Sequence, residues 1–155
     1  MSSPTLTSPT KNLATAIRGV WWLLSREDWT NDNIKKIDPT LGAEPIGILT
    51  YALTHFAAQF MKRDRSDDVA PQVYHSGKNN TSATAGYDAY FGTYEVNEQT
   101  GQVAHVLIGS ITPSNIGMTV LRNLRIKKNK LIIQLETTST EGEPIIRTLV
   151  WKRIS

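Results

Sequence analysis

The sequence predicts an all-β fold, an eight-stranded antiparallel up-and-down barrel with a short N-terminal helix. Three observations carry this expectation. Short apolar, β-branched and aromatic runs recur along the chain with turn residues between them. Residues 87–117 read as one long hairpin: 90–96 is aromatic and β-branched, 97–101 is a polar turn ending in Gly101, and 103–108 is a second apolar run. Eight such strands follow one another with mostly short connections and almost no helix. An up-and-down barrel suits them because closure removes exposed strand edges.

Taken in order, residues 1–10, MSSPTLTSPT, are rich in Ser, Thr and Pro. They lack the basic start and apolar stretch of a signal peptide and read as a disordered lead-in. Residues 11–155 read as a single domain, as the length of 155 favours. Residues 11–18 suit a short helix ended by Gly19. Residues 20–26, VWWLLSR, form the first strand, with Trp21 and Leu23 on one face and Trp22 and Leu24 on the other. A polar connection over 28–44 holds Pro39 and Gly42, and 46–52 is the second strand. The third, 55–62, HFAAQFMK, puts His55, Ala57, Gln59 and Met61 on one face and Phe56, Ala58 and Phe60 on the other.

Residues 63–85 form the longest irregular stretch, and loops of that length commonly act as lids or binding loops. Residues 83–90 would add a helical turn. After the long hairpin, 111–117 is a loop marked by Pro113, Asn115 and Gly117. Strands 118–127 and 131–138 pair across Lys128-Asn129-Lys130, and 145–153 is the last strand.

Composition narrows the function classes. Hydrophobic residues make up 39% and charged residues 20%, enough apolar material for a packed core. The absence of cysteine excludes disulfides, thiolate chemistry and zinc-thiolate sites. Net charge is +3, a mild excess. Its densest cluster (Arg122, Arg125, Lys127, Lys128, Lys130) is broken by apolar residues and fits a solvated hairpin edge, so no nucleic-acid partner is expected. No window approaches the roughly 18 apolar residues of a helical membrane span, so no membrane partner is expected. A cytoplasmic monomer or homodimer is the expectation. Asn79-Asn80-Thr81 fits a glycosylation sequon but reads as idle without a secretion signal.

His105 shares strand parity with Val103 and Leu107, which puts a histidine in the middle of an apolar face. With an unperturbed pKa near 6.5 it can serve as acid or base near neutrality. It reads either as a cavity base or donor to a ligand carbonyl, or as a core histidine bonded to a nearby Tyr or Ser. His55 and Gln59, sharing a face with Met61, read as polar anchors in an apolar pocket; the alternative leaves His55 at a rim in solvent. Tyr90 and Tyr94 flank the hairpin, and a cavity tyrosine can donate to an oxyanion. Arg122, between Val120 and Leu124, could pair with a ligand carboxylate or sit at the rim or against a tryptophan. The catalytic candidates are therefore His105 and Tyr94. The ligand-binding candidates are His55, Gln59, Met61, Tyr90, Leu107 and Arg122. The three histidines lack metal-ligand spacing and no cofactor fingerprint is present, so neither metal nor cofactor is expected.

Four segments then resemble a known family. Gly19-Val20-Trp21 is similar to the Gly-x-Trp that opens lipocalin-type barrels. Residues 51–65, YALTHFAAQFMKRDR, resemble a tyrosine, turn, His, apolar-x-x-Gln, Met-Arg-x-x-Arg segment. Residues 89–117 resemble an Ala-Tyr-Phe-Gly-Thr-Tyr hairpin with a His in the second arm and a Ser-x-x-Pro-x-x-x-Gly loop. Leu149-Val150-Trp151-Lys152-Arg153 resembles the closing strand. Together they are similar to the lipocalin-like domain family of small bacterial and fungal proteins. Two departures stand out: Lys128-Asn129 replaces a frequent Gly-Asp, and of a frequent arginine pair only Arg122 carries over. The resemblance implies a small barrel with an interior cavity, and Trp21 packed against a basic side chain, Arg153 or Arg122. A small lipophilic or aromatic ligand in that cavity is the first functional expectation. The alternative is a cofactor-free isomerase, cyclase or dehydratase acting on a natural-product intermediate, with His105 as acid or base.

Overall fold

Alternating apolar side chains set the strands, and a computed structural model describes the result for residues 10–66 and 77–155. A short helix α1 (Leu13–Ala16) precedes β1 (Gly19–Thr30), the two-residue β2 (Lys35–Lys36), β3 (Ile46–Tyr51) and β4 (His55–Met61). The chain continues through β5 (Tyr87–Val96), β6 (Gln102–Ser110), a 3-10 turn (Pro113–Asn115), β7 (Thr119–Lys127), β8 (Lys130–Thr138) and β9 (Pro144–Arg153). Consecutive strands from β3 to β9 pair antiparallel, β1 pairs with β3, and β9 pairs back to β1. The sheet is thus a closed eight-stranded barrel, with β2 appended to the end of β1.

Which side chains enter the barrel follows from parity and from two bulges. Leu24 is the extra residue between Leu23 and Ser25 where β1 meets β9. Beyond it the inward set passes from Trp21 and Leu23 to Arg26 and Asp28, which is how β1 brings charged groups to the interior. A second bulge falls between β5 and β6 at Ile108, where Gly92 pairs with Leu107 and Phe91 with Gly109. The strands close so tightly there that a Cβ on Gly92 would lie 1.8 Å from the Val106 carbonyl oxygen.

The two ends of the barrel differ. Helix α1 closes one: Leu13 and Ile17 are fully buried above Trp21 and Trp151. The Trp21 indole donates to the Ile17 carbonyl at 2.8 Å, and the Arg153 guanidinium lies 4.2 Å over its ring. Arg153 also donates to the carbonyls of Arg18 and Ala16. It is therefore Arg153, not Arg122, that covers Trp21. At the other end the inward residues are ionised: Arg147 makes two bonds to Asp28, at 2.7 and 3.0 Å, and Arg26 meets Asp38 at 3.0 Å.

The structure corrects several expectations. Strand β1 runs past 26 to Thr30, because β9 offers it partners as far as Ile145. Residues 83–90 form no helical turn. Thr84 and Tyr87 exchange backbone bonds across Ala85 and Gly86, both at positive φ, and β5 begins at once. Arg122 lies inside the barrel, 7% exposed, so the basic cluster is not a uniform solvated edge. Strands β7 and β8 pair only from Asn123 to Lys127, and Asn79 fills the seam beyond. Its side chain accepts from Leu121 N and donates to the carbonyls of Leu121 and Glu136. The sequon asparagine is thereby used as a seam filler. The middle of the expected 63–85 loop, including His75, and nearly all of the lead-in lie outside the described residues.

Candidate functional site

Inward side chains from β3 to β9 line a central cavity of about 40 Å³, room for a few waters. Tyr51, Phe56, Tyr90, His105, Arg122 and Trp151 are among its walls. Strand β6 delivers His105 because Val103, His105 and Leu107 share the inward face. Strand β3 delivers Tyr51 by the same rule through Gly47 and Leu49. The two meet at 2.6 Å between the Tyr51 hydroxyl and His105 Nε2. Phe56 packs edge-on against the imidazole with ring centroids 4.6 Å apart, and Tyr94 packs edge-on against Tyr51 at 4.9 Å.

The electrostatics follow from burial. Desolvation, and then the nearby Arg122 charge, push His105 down to about 3, an effect the Val103 backbone offsets only weakly. The imidazole is therefore neutral at neutral pH. This corrects the expectation of a histidine that titrates near neutrality. Burial also pushes the Tyr51 phenol well above its ordinary range, so it stays protonated. Two neutral groups share one short hydrogen bond in an apolar box, an arrangement that can present one donor or acceptor to a neighbour without carrying charge. The Trp151 indole N–H, in the same wall, has no hydrogen-bond partner among the described residues. Nor do three or more metal-ligating side chains come together among them.

Sequence comparison decides what kind of barrel this is. The sequence model of the family described as lipocalin-like domain matches residues 18–154. The chain belongs to the lipocalin-like domain family. No curated protein matches the chain.

Within this lipocalin-like barrel the sequence-derived candidates separate. His105, Tyr90 and Arg122 converge on the central cavity. Leu107 points inward and is 1% exposed, beside the cavity rather than in its wall. Tyr94 contributes its ring to the wall around Tyr51, but its hydroxyl donates to the Ala52 carbonyl at the β3–β4 turn and is not aimed at the cavity. His55, Gln59 and Met61 lie on the outer face of β4. The His55 ring is exposed beside Thr54, and Gln59 accepts from Tyr87 outside the barrel. The physical reason is competition between the two faces of one strand: Phe56, Ala58 and Phe60 bury more apolar surface than His55, Gln59 and Met61, so they take the interior.

Reading the sequence missed Tyr51, Asp88, Arg26 and Arg147. Tyr51 was discoverable, since it ends an apolar strand at the same parity as Leu49. Arg26 was not, because only the Leu24 bulge turns it inward. Asp88 is 4% exposed, accepts from Thr81 at 2.6 Å, and is pushed up to about 6 by burial.

Proposed function

We propose that the barrel binds a small apolar or aromatic molecule in its central cavity, with the Tyr51–His105 pair and Arg122 as its polar contacts. The observation behind this reading is the convergence of three polar side chains, each more than nine-tenths buried, on one aromatic-walled space. Ligand sites are commonly apolar concavities with few, well-placed polar groups. At about 40 Å³ the space holds no molecule larger than a few waters as it stands. Binding therefore entails movement of its walls.

Native mass spectrometry of protein purified from its own organism, with extraction of the retained compound, tests this reading. A single lipophilic compound retained by the wild type and lost from Ala58→Phe is the expected result, because Ala58 lines the cavity and a phenyl group would fill it. Equal retention by the variant would place the ligand elsewhere.

The 2.6 Å Tyr51–His105 contact favours a second reading, cofactor-free catalysis on a bound intermediate. The phenol would be the proton donor and the neutral imidazole its partner. In that case a compound and its isomer or dehydration product would be recovered together, and Tyr51→Phe would abolish conversion while retaining the substrate.

A further inference from the structure

A second void, of about 30 Å³, adjoins the central cavity, and Phe60, Tyr90, Arg122 and Leu149 line both. Its remaining walls include Arg26, Asp88 and Arg147. Ion pairing in this tier leaves two groups over. Arg147 holds Asp28 and reaches Asp38, and Arg26 holds Asp38. Among the described residues no carboxylate lies within ion-pair distance of Arg122, and no cation within that distance of Asp88. Arg122 uses only Nη1, donating to the carbonyls of Asn79 and Leu121; its Nε and Nη2 have no partner among the described residues. Asp88 accepts from Thr81 at Oδ2, while its buried Oδ1 accepts from nothing. Both side chains are more than nine-tenths buried.

A buried acceptor without a partner and guanidinium N–H groups with spare capacity on one void call for a group that both donates and accepts. Charge decides which. Three guanidinium groups and three carboxylates (Asp28, Asp38, Asp88) already balance, so an added anion would sit uncompensated away from water. A neutral hydroxyl adds no charge and satisfies both sides. We propose that this tier is the head-group site for the ligand of the central cavity and that it takes a neutral hydroxyl, whose O–H donates to Asp88 Oδ1 and whose oxygen accepts from Arg122. The inference rests on the cavity reading above and names the ligand class, an apolar or aromatic alcohol. Burial pushes Asp88 up to about 6, as expected of a carboxylate held away from water.

The test is an NMR titration of the full chain with phenol, anisole, benzoate and benzene, following the Trp151 indole resonance. Phenol should bind at least tenfold tighter than anisole, anisole about as tightly as benzene, and benzoate weakest. In Asp88→Asn the tier gains a net positive charge, and benzoate should then overtake phenol. Anisole equal to phenol, or benzoate tighter than phenol in the wild type, overturns the head-group assignment and leaves the cavity reading standing. Failure of all four to bind overturns both. The wild-type comparison decides the matter even if the variant does not fold.

Discussion

At the scale of single residues, burial dominates chemistry in this barrel. Three buried groups depart from their ordinary values in ways that fix the pH dependence of stability. His105 is held at about 3, so between about 3 and 6.5 the unfolded chain takes a proton the native state refuses. Stability from this source falls as pH drops through that window. Asp88 is raised to about 6, so between 3.8 and 6 the native state keeps a proton the unfolded chain releases. Its contribution therefore falls as pH rises. Burial acts to raise Asp38, but Arg26 and Arg147 beside it prevail and hold it at about 2. That contribution is lost as pH drops from 3.8 toward 2. The His105 and Asp88 slopes, each about 1.4 kcal/mol per pH unit, oppose and cancel between about 4 and 6. Below that range His105 and Asp38 act together and stability drops steeply. Urea unfolding of the wild type and His105→Gln at pH 4, 5 and 6 checks the sign. The stability difference between them should shrink by about 1.4 kcal/mol per unit as pH falls; a difference independent of pH would show that the imidazole is not held neutral.

At the scale of elements, the bulges carry more information than the strands around them. Gly92 sits where β5 and β6 approach so closely that any Cβ meets the Val106 carbonyl oxygen, with no flexible side chain to give way. Gly92→Ala should cost more than about 3 kcal/mol in chemical denaturation, as overpacking against backbone does. Gly142→Ala is the control: its φ of +82° is strained for alanine, but nothing lies within 4 Å, so about 1 kcal/mol is expected. Equal costs would mean that crowding at the β5–β6 bulge is relieved by strand movement. The polar tier depends on the other bulge, at Leu24. Arg147→Met would leave Asp28 buried without its cation, and about 3–5 kcal/mol should be lost.

Across the whole molecule, much of the architecture was legible in the amino-acid sequence, because strand alternation and turn chemistry are local signals. The 97–101 turn and the eight barrel strands follow from signals read over a few residues, and parity puts Val103, His105 and Leu107 on one face, which the structure turns inward. The site was less legible. His55, Gln59 and Met61 form a consistent face, but parity alone does not say which face turns inward, and the aromatic pair Phe56 and Phe60 decides it. Arg26 and Asp28 enter the interior only through an inserted residue that no alternation pattern announces. The dependence of Arg122 on Asn79, 43 residues away, is a tertiary relation that neither segment signals alone.

One measurement bears most directly on the claim that the barrel interior receives a small apolar molecule. Trp151 lines the cavity, whereas Trp22, on the outer face, is 38% exposed and supplies an internal control. The indole N–H resonances of the tryptophans should be followed as benzene is added. A saturable shift of Trp151 is expected while Trp22 stays in place. Saturable movement of Trp22 with Trp151 unmoved would contradict it and would put the binding surface outside the barrel.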